Sequence, residues 1–100
     1  MSSYKEKLDS EQLERTAKML KAISHPIRIG IIDFLDREGE KNVTEIYKEM
    51  ELEQAPASHH LGILKNNGVL SSVRKGKNIV YSLRHDRLGK IIESVEQCYS

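Results

Sequence analysis

Two neighbouring histidines, His59 and His60, lie within Ser58-His59-His60-Leu61-Gly62-Ile63-Leu64-Lys65. Imidazoles can bind a metal, move a proton or make a hydrogen bond. Adjacent residues on a helix point about 100° apart, so this pair does not chelate one ion. Ser58 and His59 are likewise sequence neighbours rather than a hydrogen-bonded nucleophile and base. No paired carboxylates, phosphate-cradling glycine loop or triad accompanies them, and the expectation is that the chain is no enzyme and carries no cofactor. What the segment supports is hydrogen bonding from an exposed helix face. On a helix opening near Ala55-Pro56, positions Ala57, Leu61 and Leu64 share the buried side, and Ser58, His59, Gly62 and Lys65 share the other. Glutamine can pair an adenine edge through two bonds and serine can reach most base edges, so Gln54, Ser58 and His59 are candidate base readers. His60 is expected to pack or hydrogen-bond at the edge of the core, and His25 beside Pro26 to start a helix.

Gly68, after Asn66-Asn67, closes that helix in the manner of a left-handed cap. Two strand-prone runs follow, Val69 to Arg74 and Ile79 to Leu83, around the hairpin turn signal Lys75-Gly76-Lys77-Asn78. Lys65, Arg74, Lys75 and Lys77 are candidate phosphate grips. The formal net charge of +1 hides a segregation: residues 1–53 sum to −3, residues 54–90 to +6 and residues 91–100 to −2. A basic block confined to one helix, one hairpin and the start of the last helix is the footprint of a DNA-facing surface. A recognition helix followed by a basic hairpin is the order of a winged helix-turn-helix domain, with double-stranded DNA as its partner.

The elements that must position these residues fit one domain. A chain of 100 residues with 38% hydrophobic and 31% charged residues forms a modest core that gains from oligomerisation. No window approaches the roughly 20 apolar residues of a membrane span and no apolar signal core opens the chain, so a cytoplasmic location is expected. Residues 1–8 are expected to be disordered and residues 9–23 to form a first helix, with Asp9 and Gln12 as its capping box and Leu13, Ala17, Leu20 and Ile23 at helical spacing. Pro26 opens a second helix bearing Ile27, Ile31, Phe34 and Leu35, which Arg37-Glu38-Gly39 ends. Asn42 and Glu45 cap a third, on which Val43, Ile46, Tyr47 and Met50 face inward. The helix-turn-helix spans residues 43–67 and the wing residues 69–83. A last helix over residues 85–99 carries Leu88, Ile91, Ile92 and Val95, a stripe wider than so small a core requires. Leu13, Leu20, Leu88, Ile91, Ile92 and Val95 are therefore the candidate dimer contacts, and a homodimer would match a pseudo-palindromic operator. The expected fold is α+β and mostly helical, a winged helix-turn-helix with a two-stranded β-hairpin wing and terminal dimerisation helices.

From Leu20 to about Leu83 the sequence resembles the ArsR/SmtB-type bacterial winged-helix repressors. Leu20-Lys21-Ala22-Ile23-Ser24-His25-Pro26-Ile27-Arg28 is similar to their opening segment. Ser58-His59-His60-Leu61, Leu64-Lys65, Gly68-Val69-Leu70 and Gly76-Lys77-Asn78-Ile79-Val80-Tyr81-Ser82-Leu83 are similar to their recognition helix and wing. The resemblance implies a homodimer built on terminal helices and repression relieved by a signal. Two departures matter. Glu53-Gln54-Ala55-Pro56-Ala57 replaces a hydroxyl-bearing run, which removes two donors and sets a carboxylate near the DNA end. The thiolate positions of one family metal site match Asn42 and Thr44. The first three positions of a last-helix site, which in the family carry a carboxylate and two histidines, match His85, Arg87 and Cys98, and the sequence stops before the fourth. A permanently charged arginine repels a divalent ion, so no metal site is expected. The alternatives are a metal- or redox-responsive repressor using His85 and Cys98, and a winged-helix protein-interaction module, which Glu53 and Pro56 favour and the basic block opposes.

Overall fold

The computed structural model describes residues 9–99 of the chain. The expectation for residues 1–8 falls outside that range. Helix α1, Ser10–Ile23, starts where Asp9 accepts the Gln12 N–H at 2.7 Å and Gln12 accepts the Asp9 N–H at 3.4 Å, a reciprocal cap. Helix α2, Pro26–Glu38, has Pro at its first position, where no N–H is needed, and His25 as its cap, with Nδ1 accepting the Ile27 N–H at 3.1 Å. Helix α3, Val43–Glu49, repeats the reciprocal cap with Asn42 and Glu45. Helix α4 spans Gln54–Asn66 and helix α5 Asp86–Gln97.

Gly68 ends α4 as expected. At φ +78° it occupies the left-handed region, its N–H donates to Lys65 O and the next N–H, of Val69, donates to Leu64 O. That pair of bonds satisfies two carbonyls the helix end leaves open.

Strand β1 is only Lys41–Asn42, β2 is Leu70–Lys75 and β3 is Asn78–Leu83. They form one antiparallel sheet in the order β1-β3-β2, with Leu70 opposite Leu83, Lys75 opposite Asn78, and Lys41 opposite Tyr81. Gly76, at φ +63°, takes the first place of the two-residue turn Gly76-Lys77, where only glycine adopts that conformation without strain. The hairpin is thus as expected, but it belongs to a three-stranded sheet. The added strand is too short to show a period of two, and its Asn42 is also the cap of α3.

Helix α2 is the centre of the protomer. Ile31, Ile32, Phe34 and Leu35 are buried on it, packed with Ile46 of α3, Leu61 and Leu64 of α4, Val69 and Leu70 at the base of the hairpin, and Leu88 and Ile92 of α5. No polar or charged residue is buried among the described residues. The core therefore sets the pose of α4 and the wing chiefly by apolar packing.

Candidate nucleic-acid interface

Helix α4 divides as its spacing requires. Ala57, Leu61 and Leu64 have no exposed surface, and Gln54, Ser58, His59 and Lys65 are all exposed. Gln54 is the first residue of the helix and Ser58 stands one turn further on. Glu53 caps the helix by position but makes no side-chain cap bond. The leading N–H groups therefore have no side-chain acceptor, and a carboxylate stands beside them.

Behind this face, α4 is tied to the rest of the protomer by a charged side chain that sequence reasoning did not single out. Arg28 of α2 donates through Nε to His60 Nδ1 and through Nη1 to the carbonyl of Ala22, both at 3.1 Å. The His25 ring lies 4.7 Å from the His60 ring, and the His59 ring lies 6.0 Å from it. Burial holds His60 below the ordinary histidine range, and the positive potential of His25, Arg28 and His59 lowers it further. Neutral His60 is the form that can accept from Arg28. His60 thus hydrogen-bonds at the edge of the core, and His25 caps α2.

The wing candidates Arg74, Lys75 and Lys77 are exposed. Lys75 Nζ is 2.6 Å from Glu40 Oε1, with both side chains more than half exposed. An exposed pair of this kind is worth about 0–1 kcal/mol, so a phosphate can displace Glu40. Arg74 Nε points back to Gly76 O at 3.4 Å, and Lys77 sits at the tip.

The candidate dimer residues separate into two groups. Leu88 and Ile92 are buried in the protomer's own core, Leu13 is half-buried, and Leu20, Ile91 and Val95 are 55%, 52% and 54% exposed. The exposed three line an apolar groove of ≈ 460 Å³ between α1 and α5, floored by Met19, Ile23 and Ile29.

His85 and Cys98 flank α5 at its two ends, roughly 20 Å apart at the rise of a helix, so they cannot share an ion within one protomer. The Cys98 thiol is exposed and lies 3.5 Å from Ser94 O. Among the described residues, no three His, Cys, Asp or Glu side chains gather as a metal site. Asn42 is engaged in the cap of α3, and Thr44 is exposed.

Residues 25–72 match the family described as bacterial regulatory proteins of the arsR family. An HTH-type transcriptional regulator of Methanocaldococcus jannaschii, MJ1325, is 33% identical over 87% of this chain and 98% of its own. The transcriptional repressor PagR of Bacillus anthracis is 33% identical over 87% of each chain. Its crystal structure superposes at a TM-score of 0.78 over 87% of this chain and 99% of that one. The homodimeric winged helix-turn-helix DNA-binding domain of Mb0332 from Mycobacterium bovis superposes at 0.78 with 25% identity, over 87% of this chain and 80% of that one. The fold is a winged helix-turn-helix, and the chain belongs to the ArsR family of transcriptional regulators. No described helix is long and apolar enough to cross a membrane.

Proposed function

We propose that the protein is a homodimeric, sequence-specific DNA-binding repressor that acts in the cytoplasm, without enzymatic activity and without the family's metal sites. The observation that carries this reading is the exposed polar face of α4, held beside a basic hairpin on a scaffold similar to that of the repressor PagR. Gln54, Ser58 and His59 read base edges from the head of α4, and Lys65, Arg74, Lys75 and Lys77 grip phosphates. Leu20, Ile91 and Val95 meet their counterparts in a second copy, with Leu13 at the margin and Leu88 and Ile92 supporting them from beneath. Residues 1–100 act as one domain, with the helix-turn-helix at 43–67, the wing at 69–83 and the dimer helices at 9–23 and 85–99.

The test is selection of bound fragments from the source genome followed by sequencing. The expected result is enrichment of a pseudo-palindrome whose half-sites lie about one helical turn, or a multiple of it, apart. Recovery of fragments with no shared sequence would remove specific repression and leave at most general duplex binding.

A further inference from the structure

A second basic site lies at the other end of the hairpin from the wing tip. Between α1, the end of α4 and the base of the sheet there is a hollow of ≈ 350 Å³, walled by Arg15, Lys18, Lys65 and Arg84 with Asn66, and by no carboxylate. The fold builds this hollow from fixed parts. The left-handed turn at Gly68 brings the end of α4 against Met19, whose methyl group would lie 3.4 Å from a Cβ at that glycine. Arg84 is anchored by its N–H to Val69 O at 3.0 Å. Arg15 is paired with Glu11 at 2.7 Å. Among the described residues, Lys18, Lys65 and Arg84 have no acidic partner within ion-pair distance. The carboxyl end of α4 offers only about half a negative charge, far short of what these cations would neutralise.

We infer that this hollow is a second backbone-phosphate site for duplex DNA, across the groove from the wing tip. The inference rests on the DNA-binding reading of α4 and adds a grip that the sequence did not assign to Arg15, Lys18 or Arg84. Ser58, Gly62 and Lys65 follow one line along α4, so the hollow ends the same face that carries the base readers, about 10 Å further along the helix. The six-residue strands set the base of the hairpin roughly 20 Å from the Gly76-Lys77 tip. A major groove is about 12 Å wide and has a phosphate chain on each side. A helix lying in it is held square by one grip per side, and the tip and the hollow, at opposite ends of the hairpin, supply one each.

The experiment is a salt titration of binding to a mixed-sequence duplex, followed by fluorescence anisotropy. Wild type is compared with Lys18→Ala, Arg84→Ala, the double variant and, as a wing reference, Lys77→Ala. Arg15 is left intact because it also borders the α1–α5 groove. Each lost phosphate contact lowers the slope of log affinity against log salt by about 0.9. In a dimer each substitution removes two contacts, so each single variant should lose close to two units and the double variant about 3.6, with sedimentation showing an unchanged assembly. A wild-type slope in the double variant, with Lys77→Ala still lowering it, would overturn the hollow and keep the DNA reading. Failure of wild type to bind duplex at all would end both. Inorganic phosphate that binds wild type stoichiometrically and not the double variant, with the duplex slope unaltered, would assign the hollow to a small anion and also overturn the proposal.

Discussion

His60 shows what a single side chain contributes here. Its Nδ1 accepts from Arg28, so this polar tie between α4 and α2 holds only while the ring is neutral. Burial first, and then the charges of His25, Arg28 and His59, hold it below its ordinary value. Above about pH 6.5 the ring is neutral in both folded and unfolded chains, and the full stability is present. As pH falls from there through the depressed folded value, the unfolded chain takes up a proton that the folded chain resists, and this share of stability is lost. Wild type should therefore lose urea resistance between pH 7 and pH 5 more steeply than His60→Asn, whose Oδ1 can keep the arginine bond without titrating. Equal slopes for the two proteins would show that His60 contributes nothing to acid sensitivity. At this scale the caps were legible in the sequence because they are local: Asp9 with Gln12, His25 before Pro26, and Asn42 with Glu45 sit within three residues of one another. The bond from Arg28 to His60 spans 32 residues, and no short-range pattern encodes it.

Elements are read from the period of their apolar residues, and that signal fails for short or shared ones. Helix α4 was legible because Ala57, Leu61 and Leu64 repeat along one side and Gly68 marks the stop. Strand β1 was not, since two residues carry no alternation and their pairing with Val80 and Tyr81 is non-local. The stop at Gly68 is testable. Alanine there must hold φ near +78°, which costs an L-residue about 1–2 kcal/mol, and its Cβ would press on Met19. Gly68→Ala should lower stability by that amount in urea denaturation, and a neutral effect would mean the cap relaxes freely. The division of labour between α4 and the wing separates by a different measurement. Lys77→Ala should weaken binding to all duplexes alike, while Gln54→Ala or Ser58→Ala should erode preference among sequences by about 1–3 kcal/mol where a good base contact is lost. Altered preference in Lys77→Ala, with none in Gln54→Ala or Ser58→Ala, would reverse the placement of helix and wing.

The whole molecule depends on how α5 is turned against its neighbours. Leu88, Ile91, Ile92 and Val95 form one stripe in sequence, and the stripe alone does not say which half meets the protomer's own core. The rotation is set by contact with α2. Gly89 is buried, and a Cβ there would overlap the Asp36 carboxylate, so α5 approaches α2 at Gly89. That approach turns Leu88 and Ile92 inward and leaves Ile91 and Val95 facing outward beside Leu20. The two halves therefore predict different failures. Truncating a buried isoleucine removes core packing, so Ile92→Ala should cost the protomer about 2–5 kcal/mol and weaken assembly only as a consequence. Ile91 is half exposed, and covering its remaining surface is worth about 0.8–1.5 kcal/mol on the scale for a fully buried side chain. In a two-fold dimer each substitution acts twice. Ile91→Glu should then leave the circular dichroism spectrum unchanged and raise the dimer dissociation constant at least about tenfold, since every 1.4 kcal/mol is tenfold. Operator affinity should fall with it, because a monomer loses the second half-site that the dimer engages at high effective concentration. Sedimentation equilibrium on wild type, Ile91→Glu and Val95→Glu decides the matter. Variants that stay dimeric with wild-type affinity would move the interface away from the α1–α5 groove, and the two recognition helices with it.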